Sequence, residues 1–199
     1  MSDLALGANA VHLCIDMQRL FADGGPWPML WMTRVLPNVV RLVERAPQRT
    51  IFTRFITPVR GDDMPGRWRA YYAKWSNATR GRLDSGLLEL MPALARHAPP
   101  AAVFDKCVYS AFANGELHPF LRRKAVDTLI VSGSETDVCV LSSVLQAVDH
   151  GYRIVIARDG VCSSSDESHD AMLDLYKRRF AVQIEVAEVD QILDAWRPG

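Results

Sequence analysis

Three side chains in this 199-residue chain could together do nucleophilic chemistry: Cys139, Asp16 and Lys106. A cysteine attacks as its thiolate, so it needs a group to take its proton or a positive charge to favour the anion. A carboxylate can do the first and an ammonium the second. Each type also has an ordinary structural use. A free Cys is commonly a small buried residue, an Asp caps helices or closes turns, and a Lys is a solvated surface charge. What sets these three apart is where each falls in the pattern around it. Leu129-Ile130-Val131 has the character of a short buried parallel strand, and Ser132-Gly133-Ser134 that of the turn ending it. Leu141, Val144, Leu145 and Val148 then recur at helical spacing, with Gly151 placed as a C-cap. Cys139 therefore falls in the first turn of a helix, where unpaired amides and the helix dipole favour a thiolate.

The other two also follow apolar runs. Val11–Ile15 is predicted as the first strand and ends at Asp16; Ala101–Phe104 is the third and ends at Asp105-Lys106. Thr50–Arg54, Arg153–Ala157 and Gln183–Val186 complete the strands, with 129–131 as the fourth. Between them lie helical patterns. Met32–Arg45 carries Val35, Leu36, Val39, Val40 and Val43 on one face. Leu87–His97 and Glu116–Lys124 are shorter, and Ser164-Ser-Asp-Glu167 is a capping box for a helix to Arg179. A terminal helix runs to Trp196. Residues 57–82 break the alternation: Pro58, Gly61, Pro65 and Gly66 interrupt them, and they hold at most one short helix. Strands alternating with helices predict one α/β domain over 1–199, built on a mostly parallel, doubly wound sheet. In such sheets the site lies beyond the carboxyl ends of the strands, so Asp16, Lys106 and Cys139 should converge there.

Composition narrows the function. Lys plus Arg, 23, equals Asp plus Glu, so no global field draws nucleic acid or an anionic membrane. No apolar run is long enough to span a bilayer, and the first residues lack a basic and then apolar leader, which predicts a cytoplasmic protein. The four Cys, at 14, 107, 139 and 162, have neither CxxC nor zinc-finger spacing. With 49% hydrophobic residues the chain can bury a substantial core.

Asp16-Met-Gln-x-x-Phe21, Lys106-x-x-x-Ser110-Ala111-Phe112 and Gly133-x-x-Thr136-Asp137-Val-Cys139-Val, in this order, resemble the isochorismatase-like cysteine hydrolases. The resemblance spans nearly the whole chain, and the last motif is its most specific part. It implies a six-stranded, mostly parallel sheet with helices on both faces, assembled as a homodimer or homotetramer. It implies a triad: Asp16 as general base and acid, Lys106 as its charged partner, Cys139 as nucleophile. It also implies a cis peptide between Ser134 and Glu135, and an oxyanion hole formed by the backbone N–H groups of Glu135 and Cys139. The activity implied is hydrolysis of a small amide or carbamoyl compound through a thioester, as in the N-carbamoylsarcosine amidase and ureidoacrylate amidohydrolase branch. Isochorismatase-type vinyl ether hydrolysis is the alternative, with nicotinamidase activity a lesser one. The nicotinamidase branch has an Asp-x-His and further His after the second strand to bind a metal. Here that stretch is Thr53-Arg-Phe-Ile-Thr-Pro58, without His, so no metal and no other cofactor are expected. A binding or scaffold protein keeping the fold is the non-enzymatic reading.

Three further features carry expectations. Cys162, with His169 nearby in sequence, is a competing nucleophile; Cys107 should point away from Lys106 into the core, and Cys14 should be buried. Trp196 and the aromatic excursion could supply a subunit interface. Between Arg54 and Arg82 stand seven basic residues against Asp62 and Asp63, interleaved with Trp68, Tyr71, Tyr72 and Trp75. Aromatic rings there could cover the site, and an Arg among Arg54, Arg67 and Arg69 could hold a substrate carboxylate. The candidate substrate-binding residues are thus Gln18, Phe21, Arg54, Trp68, Tyr72, Trp75 and Ser134.

Overall fold

Every residue of the first strand, β1 (Ala10–Ile15), is buried, so both of its faces must be covered. A computed structural model, describing residues 4–22 and 24–199, shows how this is done. The other strands are β2 (Thr50–Phe55), β3 (Ala102–Lys106), β4 (Thr128–Ser134), β5 (Arg153–Cys162) and β6 (Ile184–Ala187). All pairings are parallel, in the order β3-β2-β1-β4-β5-β6. The helices are α1 (Met32–Arg45), α2 (Trp68–Lys74), α3 (Pro92–Ala95), α4 (Leu117–Arg123), α5 (Leu141–Asp149), α6 (Asp166–Arg179) and α7 (Val189–Ala195).

Side-chain alternation divides the core. Val11, Leu13 and Ile15 join Leu129 and Val131 against α4, α5 and α6 through Leu121, Val144 and Tyr176. Cys14 and Phe52 pack on the opposite face against Val35, Val39 and Val43 of α1 and Leu94 of α3. Ala10, Ile130 and Val155 meet Leu42 of α1 and Val189 and Ile192 of α7. The expected doubly wound α/β fold is the one observed. Strand order reverses between β1 and β4, and at their carboxyl ends the chain leaves toward opposite faces, opening a crevice there.

Several expectations are corrected. Ser132-Gly133-Ser134 is not a turn: β4 continues through it, paired with β1 (Cys14 with Ser132, Ile15 with Gly133) and with β5 (Ser134 with Cys162). A bulge between Val131 and Gly133 accommodates this, with Gly133 at φ +110. A Cβ added there would stand 2.0 Å from the Ile15 carbonyl oxygen, so only glycine fits. Residues 87–97 form one turn of α-helix, α3, after a 3-10 turn at Ser85–Leu88. The stretch between them instead crosses the Met17–Arg19 backbone, with Met91 N–H donating to Met17 O and Arg19 N–H to Glu89 O. α6 is capped by Ser165, whose hydroxyl accepts from Ser168 N–H, because the Ser164 hydroxyl is taken by Glu135. Trp196 is fully buried among Leu6, Leu42 and Ile192 and cannot be an interface. Cys107 does face away from Lys106, but it is exposed: β3 is an edge strand, and Val103 and Asp105 on that face are exposed too. Among the described residues, no helix is long and apolar enough to cross a membrane.

Candidate active site

Asp16 is the first residue beyond β1 and sits at φ +48, a conformation that Asp adopts more readily than most non-glycine residues. Its backbone is pinned from three sides. Its N–H donates to Thr53, its carbonyl accepts from Gln18 N–H at 2.8 Å, and the Ser134 hydroxyl donates to the same carbonyl at 3.2 Å. The carboxylate is divided between two partners. Oδ1 accepts from the Thr53 hydroxyl at 2.6 Å. Oδ2 lies 2.6 Å from Lys106 Nζ, in an ion pair. Oδ1 is engaged by a neutral hydroxyl and Oδ2 by the ammonium.

Lys106 closes β3 opposite Phe55 of β2, and its ammonium stands 5.0 Å from the Phe55 ring centroid while donating to Val108 O at 3.1 Å. Both charges are buried, with side-chain exposures of 2% for Lys106 and 0% for Asp16. Burial alone would pull the ammonium pKa down; the Asp16 carboxylate and then Cys139 outweigh that, and the net direction is up. Lys106 is a fixed positive charge.

Cys139 lies in a π-helical turn, Thr136–Val140, that runs straight into α5. Its carbonyl accepts from the Ser143 hydroxyl at 2.7 Å, and that hydroxyl in turn accepts from Ala111 N–H, which ties the turn to the chain after β3. The thiol stands within the influence of both charges. Burial, first, and Asp16 push its pKa up, while Lys106 opposes them. The net direction is upward, which corrects the expectation of a thiolate drawn out by a helix N-terminus. Without substrate the sulfur keeps its proton.

Above the sulfur is a cavity of about 210 Å³ lined by Phe21, Trp27, Phe55, Tyr71, Tyr109, Glu135, Val138 and Cys139. Trp27 is its keystone: its ring centroid is 6.0 Å from Phe21, 6.1 Å from Phe55 and 6.1 Å from Tyr71. An outer recess, lined by Arg67, Trp68, Tyr71 and Tyr109, shares two walls with it.

The remaining candidates fall in different places. Phe21 lines the cavity, and Trp68 lines the outer recess. Gln18 is a clamp: its amide donates to Phe55 O and Leu88 O and accepts from Phe55 N–H, all buried, so it has nothing left for a ligand. Ser134 holds Asp16, as described. Trp75 supports Trp27 edge-on at 5.9 Å, behind the cavity wall. Tyr72 is buried and faces a separate hollow beside Val59 and Thr79. Arg54 is taken by two carboxylates, Asp105 through both oxygens and Glu89, so it holds no substrate carboxylate. Arg69 donates to Met64 O, and Arg67 stands in the outer recess, so no Arg lines the cavity. The peptide between Ser134 and Glu135 is cis. Cys14 and Cys162 are fully buried, with thiols pushed up to about 12 chiefly by burial. His169 bonds to Thr136 rather than to Cys162. Among the described residues no group of three or more His, Cys, Asp or Glu is placed to hold a metal. Trp27, Phe55, Tyr109 and Val138 line the cavity without having been expected there, whereas Tyr71 is one of the aromatic residues expected to cover the site. The one sequence signal for Trp27 was an aromatic set in the Gly24-Gly25-Pro26 turn just past Asp16.

Residues 10–188 match the isochorismatase domain model. The chain belongs to the isochorismatase family. The family is a hydrolytic one, with named amidases among the relatives. A probable inactive nicotinamidase of Arabidopsis thaliana is 30% identical over 174 residues, covering 84% of this chain and 88% of that protein. The N-carbamoylsarcosine amidase of an Arthrobacter species is 30% identical over 166 residues, 79% of this chain and 61% of the relative. A solved cysteine hydrolase from Pseudomonas syringae pv. phaseolicola 1448A superposes with a TM-score of 0.81 at 24% identity, over 98% of both chains, which establishes the shared fold.

Proposed function

We propose that this isochorismatase-family protein is a cysteine-dependent hydrolase of a small amide or carbamoyl/ureido compound. The observation that carries this is the meeting of the Cys139 thiol with the buried Asp16–Lys106 pair on the floor of an aromatic cavity. The cavity admits only a small substrate, and its rings exclude water from the reacting carbon. The Asp16 carboxylate takes the thiol proton as sulfur attacks the carbonyl carbon. The carbonyl oxygen becomes an oxyanion facing the backbone N–H groups of Glu135 and Cys139. The C–N bond breaks, and Asp16 passes its proton to the leaving nitrogen, which departs as ammonia or an amine. Water then gives a proton to Asp16 and adds to the thioester carbonyl. The C–S bond breaks, and the sulfur recovers the proton. Lys106 stays charged throughout and offsets the negative charge that moves between carboxylate and sulfur. The relative that is an N-carbamoylsarcosine amidase supports a carbamoyl C–N bond as the one cleaved. The assembly expected is a homodimer or homotetramer, which sedimentation velocity measures.

Ammonia release over a panel of small amides and ureido compounds tests the reaction. The wild type should turn over at least one, and Cys139→Ala should lower kcat by at least about three orders of magnitude with its fold intact by circular dichroism. Unimpaired turnover by Cys139→Ala would refute the mechanism.

A further inference from the structure

One residue lining the cavity above Cys139 bears a charge, Glu135; the others are five aromatic residues, Val138 and Cys139. Below the floor, the Lys106 charge is already matched by Asp16. Glu135 is therefore the one lining residue whose charge has no opposite partner among the described residues. Glu135 is fixed in place by one oxygen only: Oε2 accepts from the Ser164 hydroxyl at 2.5 Å and from Ser164 N–H at 3.3 Å. Among the described residues no Lys, Arg or His pairs with this carboxylate. Its charge reaches the cavity's phenols. It adds to the burial that chiefly raises the pKa values of Tyr71 and Tyr109.

A box of aromatic faces with a carboxylate at one wall is the chemistry that holds a cation, because ring quadrupoles and the carboxylate both attract positive charge in a site short of water. A substrate carboxylate would meet the same Glu135 with no lining cation to balance it. We propose that the cavity selects a small amide bearing a cationic group close to the scissile carbonyl, a quaternary trimethylammonium filling it best, with Glu135 as the counter-charge. This rests on the amide-hydrolase reading for its kinetic consequence and on the cavity alone for its binding consequence.

Three amides of similar size separate the cases. They are 2-(trimethylammonio)acetamide, its neutral isostere 3,3-dimethylbutanamide, and the anion malonamate. With the wild-type enzyme, kcat/KM for the cation should exceed that of the neutral isostere by at least about ten-fold, with malonamate lowest. In Glu135→Gln, which keeps an acceptor for Ser164, the cation-to-neutral ratio should collapse toward one. A purely structural Glu135 would depress both substrates together and leave the ratio unchanged. Calorimetry on Cys139→Ala measures the same ranking as binding, independent of turnover. Cation-selective binding without hydrolysis of any amide would sink the hydrolase reading and leave the selectivity standing. Equal binding of cation and isostere, or no binding of either, would overturn the proposal. A preference for malonamate would also overturn it and point to Arg67 in the outer recess.

Discussion

Cys139 and Cys107 separate reactivity from access. Cys107 is exposed on the edge strand, whereas Cys139 is almost wholly buried, with a pKa raised by burial. Iodoacetamide at neutral pH should therefore alkylate Cys107 before Cys139 in the substrate-free protein. Labelling of Cys139 should keep rising with pH past the ordinary thiol range. Peptide mass mapping over a pH series checks this; a Cys139 rate already at its plateau near neutrality would contradict a protonated resting thiol. The same comparison shows what a sequence can reveal at this scale. Asp16, Lys106 and Cys139 were recognisable because each follows an apolar run that had to be a strand. The raised pKa of Cys139 was not, since its first cause is burial and burial is a property of the folded whole. Arg54 looked free for the same reason: Asp105 and Glu89, its partners, come from elsewhere in the chain.

Elements whose faces are wholly apolar were readable from their periodicity, α1 to the residue. Elements that carry the site were not. β4 runs on through Ser132-Gly133-Ser134, a triplet with the composition of a turn, because parallel neighbours on both sides satisfy its backbone. That extension sets the distance from Asp16 to Cys139, and Gly133 permits it. Gly133→Ala would force a Cβ against the Ile15 carbonyl oxygen at a positive φ. Its expected effect is a loss of stability of at least about 2–3 kcal/mol, together with loss of activity. Urea denaturation measures the first; a variant as stable as the wild type would mean that the strand ends can part without cost. Part of the aromatic wall was hidden for a different reason. Tyr71 belongs to the aromatic excursion expected over the site, but Trp27 and Tyr109 sit in a turn and a loop, neither of which has a hydrophobic period to announce where its side chains point.

At the scale of the molecule, the sheet is built around a histidine that must stay neutral. His12 is fully buried in β1, bonded to the Ser132 hydroxyl at 2.7 Å and near that of Thr50, and burial pushes its pKa from 6.5 down to about 3. An unfolded chain takes up a proton here below pH 6.5 that the folded chain refuses. Stability is therefore complete above that pH and falls as pH drops toward 3, by up to about 1.4 kcal/mol per pH unit from this one group. Thermal melts from pH 7 to roughly pH 5 should show Tm decline in the wild type and a shallower decline in His12→Gln. Parallel slopes would exclude His12 as the cause. The opposite lesson lies in the Asp16–Lys106 pair. Taking two charges out of water costs more than their attraction returns unless the geometry is favourable. Asp16→Leu alone should cost about 3–5 kcal/mol, while Asp16→Leu with Lys106→Met should be neutral or gain as much as about 4 kcal/mol. A chain selected only to stay folded would drift toward that apolar pair and become a sturdier, inert protein. If the double variant proves the sturdier one, stability alone does not account for the two buried charges.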